Sequence, residues 1–254
     1  MMIVDFSSYL GRWPHWPNRY MMVEDGLLQI MDRYGVQRAV ATSTRSILVN
    51  SREGNEEAAA FSARYPDRAS WFCSVNPFQD ERALGELERA AKQGAKGLRL
   101  YPQHQAWGLN SDPYVGEIIN AAQRLSLPVV IPLRLIMDWR LPMLSIGEVG
   151  AFVRKYPQCT FVLSGVNYPE FRPALDILRK NDSALIETSC LMGRDEVKQL
   201  VESVGAERVL MGMGLPLQSA LCGLVRVQKA KISDAAKELI LGGNAARLLG
   251  LGAG

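Results

Sequence analysis

Ala184-Leu185-Ile186-Glu187-Thr188 is a short run, apolar except at its end, and Val197, Leu200, Val201 and Val204 follow it at i, i+3, i+4 and i+7. The first stretch has the length and near-continuous apolarity of a strand covered on both faces. The second is one stripe of an amphipathic helix. Together they form a strand–helix unit, and the same unit recurs in both directions along the chain. Upstream, Thr160-Phe161-Val162-Leu163 precedes a helix expected over 170–180, and Pro128-Val129-Val130-Ile131 precedes one over 146–156. Gly97-Leu98-Arg99-Leu100-Tyr101 leads to a stripe of Val115, Ile118, Ile119 and Ala122. Ser70-Trp71-Phe72-Cys73-Ser74-Val75 and Arg38-Ala39-Val40-Ala41-Thr42 precede helices expected over 81–93 and 53–65. Ile3-Val4-Asp5-Phe6 precedes the stripe Leu27, Ile30, Met31, Tyr34. Downstream, Arg208-Val209-Leu210-Met211 is the last strand, with helical sequence continuing to Leu249. Eight units in 254 residues predict an α/β chain of one domain, residues 1–254, folded as a single (β/α)8 TIM barrel. An open doubly wound sheet is the alternative. No G-x-G-x-x-G follows the first strand, which disfavours its dinucleotide-binding form.

Composition narrows the function. Lys plus Arg is 29 and Asp plus Glu is 26, a net charge of +3, with 48% apolar and 22% charged residues. This is a globular balance, with no charge excess pointing to nucleic acid or a membrane surface. Cys73, Cys159, Cys190 and Cys222 form no C-x-x-C pair, which argues against a structural zinc site. Scattered thiols and an amino terminus without a basic and apolar leader pattern predict a cytoplasmic chain. Only two histidines are present, His15 and His104, and they share no ligand spacing.

The strand ends resemble those of the amidohydrolase-related family of metal-dependent hydrolases and decarboxylases, which are (β/α)8 barrels. The resemblance rests on Ile3-Val4-Asp5 with Leu10-Gly11, Gly54-Asn55-Glu56, Tyr65-Pro66-Asp67-Arg68 and Val75-Asn76-Pro77. It continues through Gly94-Ala95-Lys96-Gly97-Leu98-Arg99-Leu100 and Leu127-Pro128-Val129-Val130-Ile131 to Gly242-Gly243-Asn244-Ala245-Ala246-Arg247-Leu248-Leu249. It implies a His-x-His pair after the first-strand Asp, histidines after strands five and six, and an Asp after strand eight. This chain has Ser7 and Tyr9, Pro132, Ser164-Gly165 and Gly214 there. Pro and Gly offer no ligating side chain, and Ser and Tyr hydroxyls stay protonated at neutral pH. The expectation is therefore a degenerate member with no metal and no cofactor.

In such a barrel the functional face lies at the carboxy-terminal strand ends. There the sequence places Ser7, Tyr9, Arg45, Asn76, Arg99, Tyr101, Arg134, Asn167, Glu187 and Ser189. Arg45, Arg99 and Arg134 would make an anion site if they converged; otherwise they pair with carboxylates or carbonyls or point outward. Ser7, Tyr9, Arg45, Arg99, Arg134 and Asn167 are the expected ligand-binding set, for a small carboxylate or phosphate. If the chain is an enzyme, a metal-independent hydrolase or lyase acting on a small carboxylate, Glu187 is the expected general base, with Arg99 or Tyr101 as its electrophilic partner. Cys190 lacks a nearby base. Trp13, Trp16, Trp107 and Trp139 fall in the loops of this face, as a ligand lid or as an interface. The partner expectation is a homo-oligomer, with a hetero-complex with an active relative as its narrower version, and neither nucleic acid nor membrane.

Overall fold

The eight apolar runs form eight parallel strands, each followed by a helix. The computed structural model describes residues 2–12, 21–22, 24–78, 83–110, 113–136 and 141–251. The strands are β1 (Val4–Arg12), β2 (Arg38–Ser43), β3 (Ala69–Trp71), β4 (Leu98–Arg99), β5 (Val129–Pro132), β6 (Phe161–Ser164), β7 (Ala184–Glu187) and β8 (Val209–Leu210). The main helices are α1 (Glu24–Tyr34), α2 (Ser51–Arg64), α3 (Ala83–Lys92), α4 (Pro113–Arg124), α5 (Ile146–Lys155), α6 (Phe171–Lys180), α7 (Glu196–Val204) and α8 (Ala220–Gln228). The expected helix over 53–65 starts earlier, at Ser51, because the Asn50 side chain accepts from Glu53 N and caps it.

Pairing runs round the barrel in order. Ala39 faces Asp5, Val40 faces Ser70, and a parallel bridge between Cys73 and Leu98 joins β3 to β4. Leu98, Val130, Val162 and Ile186 then pair with Val129, Val162, Leu185 and Val209. The ring closes where Phe6 N donates to Met211 O at 2.9 Å and Tyr9 N to Leu215 O at 2.7 Å. A two-residue strand, Met21–Met22, pairs antiparallel with the end of β1.

The period-2 geometry of strands sends alternate side chains inward. Val4, Val40, Val130, Val162, Leu185 and Leu210 fill the lower interior with Phe6 and Phe72. Ala245 and Leu249 of the terminal helix Asn244–Leu249 close that end. Between these residues and the mouth the interior becomes polar. On β4 the inward positions are Gly97, Arg99 and Tyr101, since Leu98 and Leu100 pack outward with the helices. A Cβ on Gly97 would sit 2.7 and 2.8 Å from Phe72 ring carbons and 2.9 Å from Pro128 O. Gly97 is thus what lets Phe72 lie beneath Arg99. Forcing a methyl into that contact costs about 1–3 kcal/mol, so Gly97→Ala should lower the urea unfolding midpoint by that equivalent. An unchanged midpoint would show that Phe72 is free to move.

Candidate functional site

The upper interior is built around three buried charged side chains. Asp5, on β1, accepts from Ser7 N at 3.0 Å, Ser8 Oγ at 2.6 Å, Met213 N at 2.7 Å and Leu215 N at 3.3 Å. A register shift between Asp5 and Ser8 aims it at the segment after β8. Burial raises its pKa above the usual aspartate value, and the four hydrogen bonds only partly oppose that.

Glu187 ends β7. Its Oε1 accepts from Ser164 Oγ (2.7 Å), Gly165 N (3.0 Å) and Ser189 Oγ (2.7 Å), and its Oε2 from Ser189 N (2.6 Å). Gly212 makes room for it, because a Cβ there would collide with Oε2. Behind it, Arg226 Nη1 donates to Thr188 O at 2.8 Å and fixes the turn that carries Ser189.

Arg99 is fully buried. Its Nη2 donates to Phe6 O at 2.9 Å, and its Cζ lies 5.2 Å from the Tyr9 ring centroid and 5.3 Å from that of Phe72. Nε and Nη1 have no acceptor. Burial pulls the guanidinium pKa down, but Tyr101, Tyr9 and Glu187 outweigh it and leave the pKa raised. Burial likewise pushes the Tyr9 and Tyr101 phenols up, against the pull of Arg99. Tyr101 lies beside Arg99, Tyr9 and Thr42, yet its hydroxyl meets no partner at hydrogen-bonding distance and angle. Above these groups, Ile47, Leu135, Ile136 and Leu217 pack with Tyr9 and Tyr101 into an apolar roof, each no more than 7% exposed.

Of the expected ligand set, Tyr9 and Arg99 come together, and Tyr101 of the expected catalytic set lies with them. Ser7 is buried on β1 and takes part in the turn held by Asp5. The three arginines do not converge. Arg45 pairs with Glu53 at 3.2 Å on the surface, both side chains about half exposed. Arg134 pairs with Glu170 at 2.5 Å and donates to Met143 Sδ at 2.7 Å. Asn167 is a cap: its Oδ1 accepts from Tyr168 N at 2.6 Å, while Glu170 Oε2 accepts from Asn167 N at 3.1 Å. Local capping and ion pairing thus hold two of the three cations, a competition invisible in strand-end position alone. Trp107 is buried in its own fold and donates to Gln105 Oε1 at 3.1 Å. Trp13, Trp16, His15 and Trp139 lie outside the described residues. Burial and Glu187 push the Cys190 thiol up, away from thiolate.

Residues 7–251 match the amidohydrolase family. The chain belongs to that family. Among solved structures it is similar to 5-carboxyvanillate decarboxylase of Sphingomonas paucimobilis, at 16% identity and a TM-score of 0.77, covering 99% of each chain. It is also similar to 2,6-dihydroxybenzoate decarboxylase from Rhizobium, at 17% identity and a TM-score of 0.74, again over 99% of each chain. A third likeness is to 5-carboxyvanillate decarboxylase from Novosphingobium aromaticivorans, complexed with manganese and 4-hydroxy-3-methoxy-5-nitrobenzoic acid. There the identity is 15% and the TM-score 0.78, over 98% of this chain and 96% of that one. At such identities the likeness is one of fold. No curated protein matches the chain by sequence. Among the described residues no three His, Cys, Asp or Glu side chains group as metal ligands, and no helix is long and apolar enough to cross a membrane.

Asp5 supplies a pH test. Its folded pKa lies above the unfolded value of about 3.9. The stability this contributes is complete below that value and is lost as pH rises through the folded pKa. The unfolding free energy of wild type minus that of Asp5→Asn should therefore fall with rising pH above about 4, by at most about 1.4 kcal/mol per unit, and then level off. Urea unfolding of both proteins across that range checks it; a pH-independent difference would contradict the raised pKa.

Proposed function

We propose that this amidohydrolase-family barrel works without a divalent metal and holds a small carboxylate or phosphate on Arg99. On this reading it is non-catalytic or weakly active and serves as a binding or assembly member. The observation that carries the reading is Arg99 itself, a fully buried cation in the upper barrel whose Nε and Nη1 meet no acceptor at hydrogen-bonding distance and angle, with the Tyr101 hydroxyl beside them. Buried polar groups are normally paired, and an unpaired one calls for an explanation such as a bound ion or ligand.

The donor chemistry does not fit a divalent ion. A catalytic zinc site needs about three ligands and an open position. The positions at which the family resemblance implies ligands hold Ser7, Tyr9, Pro132, Ser164-Gly165 and Gly214. The two carboxylates of the upper interior, Asp5 and Glu187, already accept four hydrogen bonds each. Gly214 is packed against Gln218, whose Nε2 would lie 2.6 Å from a Cβ at that position.

The second reading is a metal-independent lyase or hydrolase acting on a carboxylate. It is favoured by the electrostatic coupling of Glu187, Arg99 and Tyr101, and by the aromatic carboxylic acids named for the similar decarboxylases. Against it, Glu187 already accepts four hydrogen bonds, from Ser164, Gly165 and Ser189, which stabilise it as the carboxylate. Assembly is supported by an apolar rim: Met143, Tyr168 and Met192 stand 49%, 73% and 67% exposed beside the mouth.

Elemental analysis of the purified protein should find well under one zinc, manganese or iron per chain; a stoichiometric ion that survives dialysis overturns the reading. Acetate, butyrate and phosphate should be screened for thermal stabilisation. A ligand at about 100 times its Kd adds about 2.7 kcal/mol, roughly 5–10 °C in Tm for a chain of this size. Arg99→Gln should abolish that shift. Sedimentation at micromolar concentration should show a homo-oligomer, and a wild-type monomer removes the assembly role.

A further inference from the structure

The unpaired polar atoms of the upper barrel are not scattered. Ser74 Oγ, Asn76 Nδ2, Arg99 Nε and Nη1 and the Tyr101 hydroxyl are all buried and all without a partner. They come from two adjacent strand ends. Cys73 and Val75 pack outward with the helices while Phe72 packs inward, so Ser74 and Asn76 share the inward register of Phe72. On β4 the same alternation puts Arg99 and Tyr101 inward. The bridge from Cys73 to Leu98 sets the two pairs side by side.

The end of β3 is held rigidly from outside. Asn55 on α2 accepts from Ser74 N and donates to Ser74 O, both at 3.0 Å. Its Nδ2 also donates to Glu86 Oε1 at 2.8 Å, and Arg89 fixes Glu86 through two bonds of 2.7 and 2.8 Å. The Asn76 amide is oriented in turn, because its Oδ1 accepts from Phe78 N at 3.0 Å and leaves Nδ2 as the unused donor. A site built this way spends little on ordering its own side chains when a ligand arrives.

We propose that Asn76, Arg99 and Tyr101, with Ser74 beside them, are a carboxylate-specific cradle that takes the head group of a monocarboxylate with an apolar body. This rests on the reading of Arg99 as the anion-binding cation and goes further, by naming the residues that recognise the anion and the class of anion they choose. Every free group is a donor or a hydroxyl, so the ligand's head must be made of acceptors. The N–H bonds of a guanidinium lie in its plane, and the rings of Tyr9 and Phe72 lie against Arg99. A flat carboxylate can accept from two of those N–H groups in that plane. Charge makes the choice between anions. One guanidinium, already in the field of Glu187, balances a monoanion but leaves a dianion uncompensated in a buried place. The body of the ligand would face Ile47, Leu135, Ile136 and Leu217, which favours apolar carbon over water-seeking substituents.

Calorimetric titration of wild type and three variants with formate, acetate, butyrate and inorganic phosphate tests this. Tyr101→Phe removes one oxygen that meets no partner at hydrogen-bonding distance and angle and keeps the ring, so the fold should be retained. Asn76→Asp keeps the acceptor that caps Phe78 N, turns the unused donor into an acceptor and adds a negative charge that itself repels an anion. In wild type, affinity should rise from formate to butyrate, and phosphate should not compete. Each of these two variants should weaken butyrate binding about tenfold or more, the worth of a hydrogen bond to a charged group, and Arg99→Gln should abolish it. If Tyr101→Phe and Asn76→Asp both bind butyrate within about twofold of wild type while Arg99→Gln does not bind, the cradle is wrong and the Arg99 reading survives. Phosphate competing as well as butyrate overturns the carboxylate selection. Wild type binding none of the four anions overturns the Arg99 reading itself.

Discussion

A single carboxylate completes the closure of this barrel, beside the backbone bonds from Phe6 N to Met211 O and from Tyr9 N to Leu215 O. β8 is two residues long, too short for a strand ladder alone to seal the ring against β1. The Asp5 side chain supplies the missing acceptors, taking the backbone N–H groups of Met213 and Leu215 from 208 and 210 residues away along the chain. Those donors sit in the segment that leads from β8 to α8, so the last strand–helix unit depends on the first strand for its position. Fully buried, the carboxylate carries a desolvation penalty that its four hydrogen bonds reduce without cancelling, as its raised pKa records. Removing it would take the acceptor from three buried N–H groups, Ser7, Met213 and Leu215, and each one left unsatisfied costs about 1–3 kcal/mol.

The same economy governs Glu187 and Arg99. They are opposite charges in one buried interior, yet no direct ion pair joins them. Glu187 is held by neutral donors from β6 and its own turn, Arg99 by the Phe6 carbonyl and two aromatic rings. A salt bridge between them would have used up the guanidinium edge. Separate support leaves each charge stabilised at long range by the other and leaves N–H groups of Arg99 directed at the interior. An ion pair would have made that interior inert; the arrangement seen makes it receptive to an acceptor.

Strand and helix positions could be read from the sequence because they follow from a local period. Val130, Val162 and Leu185 alternate with neighbours that face the helices, and that alternation is written in adjacent residues. The inward position of Arg99 was also legible, since it lies between Leu98 and Leu100, which face the helices. Position at a strand end did not separate Arg99 from Arg45 and Arg134, because the difference lies in partners. Glu53 sits eight residues from Arg45 on the next helix and draws it to the surface, and Glu170 draws Arg134 into a pair beside the Asn167 cap. Asn76 and Ser74 are ordinary loop-edge residues in sequence; their lack of partners emerges only once Asn55, Glu86 and Arg89 fix the strand end from outside. Periodicity fixes which face a side chain occupies, whereas satisfaction of its hydrogen bonds is a tertiary property.

An apolar roof covers the polar groups of the upper barrel. Ile47, Leu135, Ile136 and Leu217 come from the segments after β2, β5 and β8, three different sectors of the mouth, and meet over Tyr9 and Tyr101. Water held beneath such a roof would satisfy the free donors of β3 and β4 but would leave the Arg99 charge without a counter-anion at contact. A carboxylate satisfies both demands at once and lets its carbon replace solvent against the roof. The low-dielectric cover strengthens each hydrogen bond to the anion and raises the cost of any ligand whose far end is polar. For the proposed ligand, charge selection by Arg99 and polarity selection by the roof would therefore be one constraint acting at its two ends.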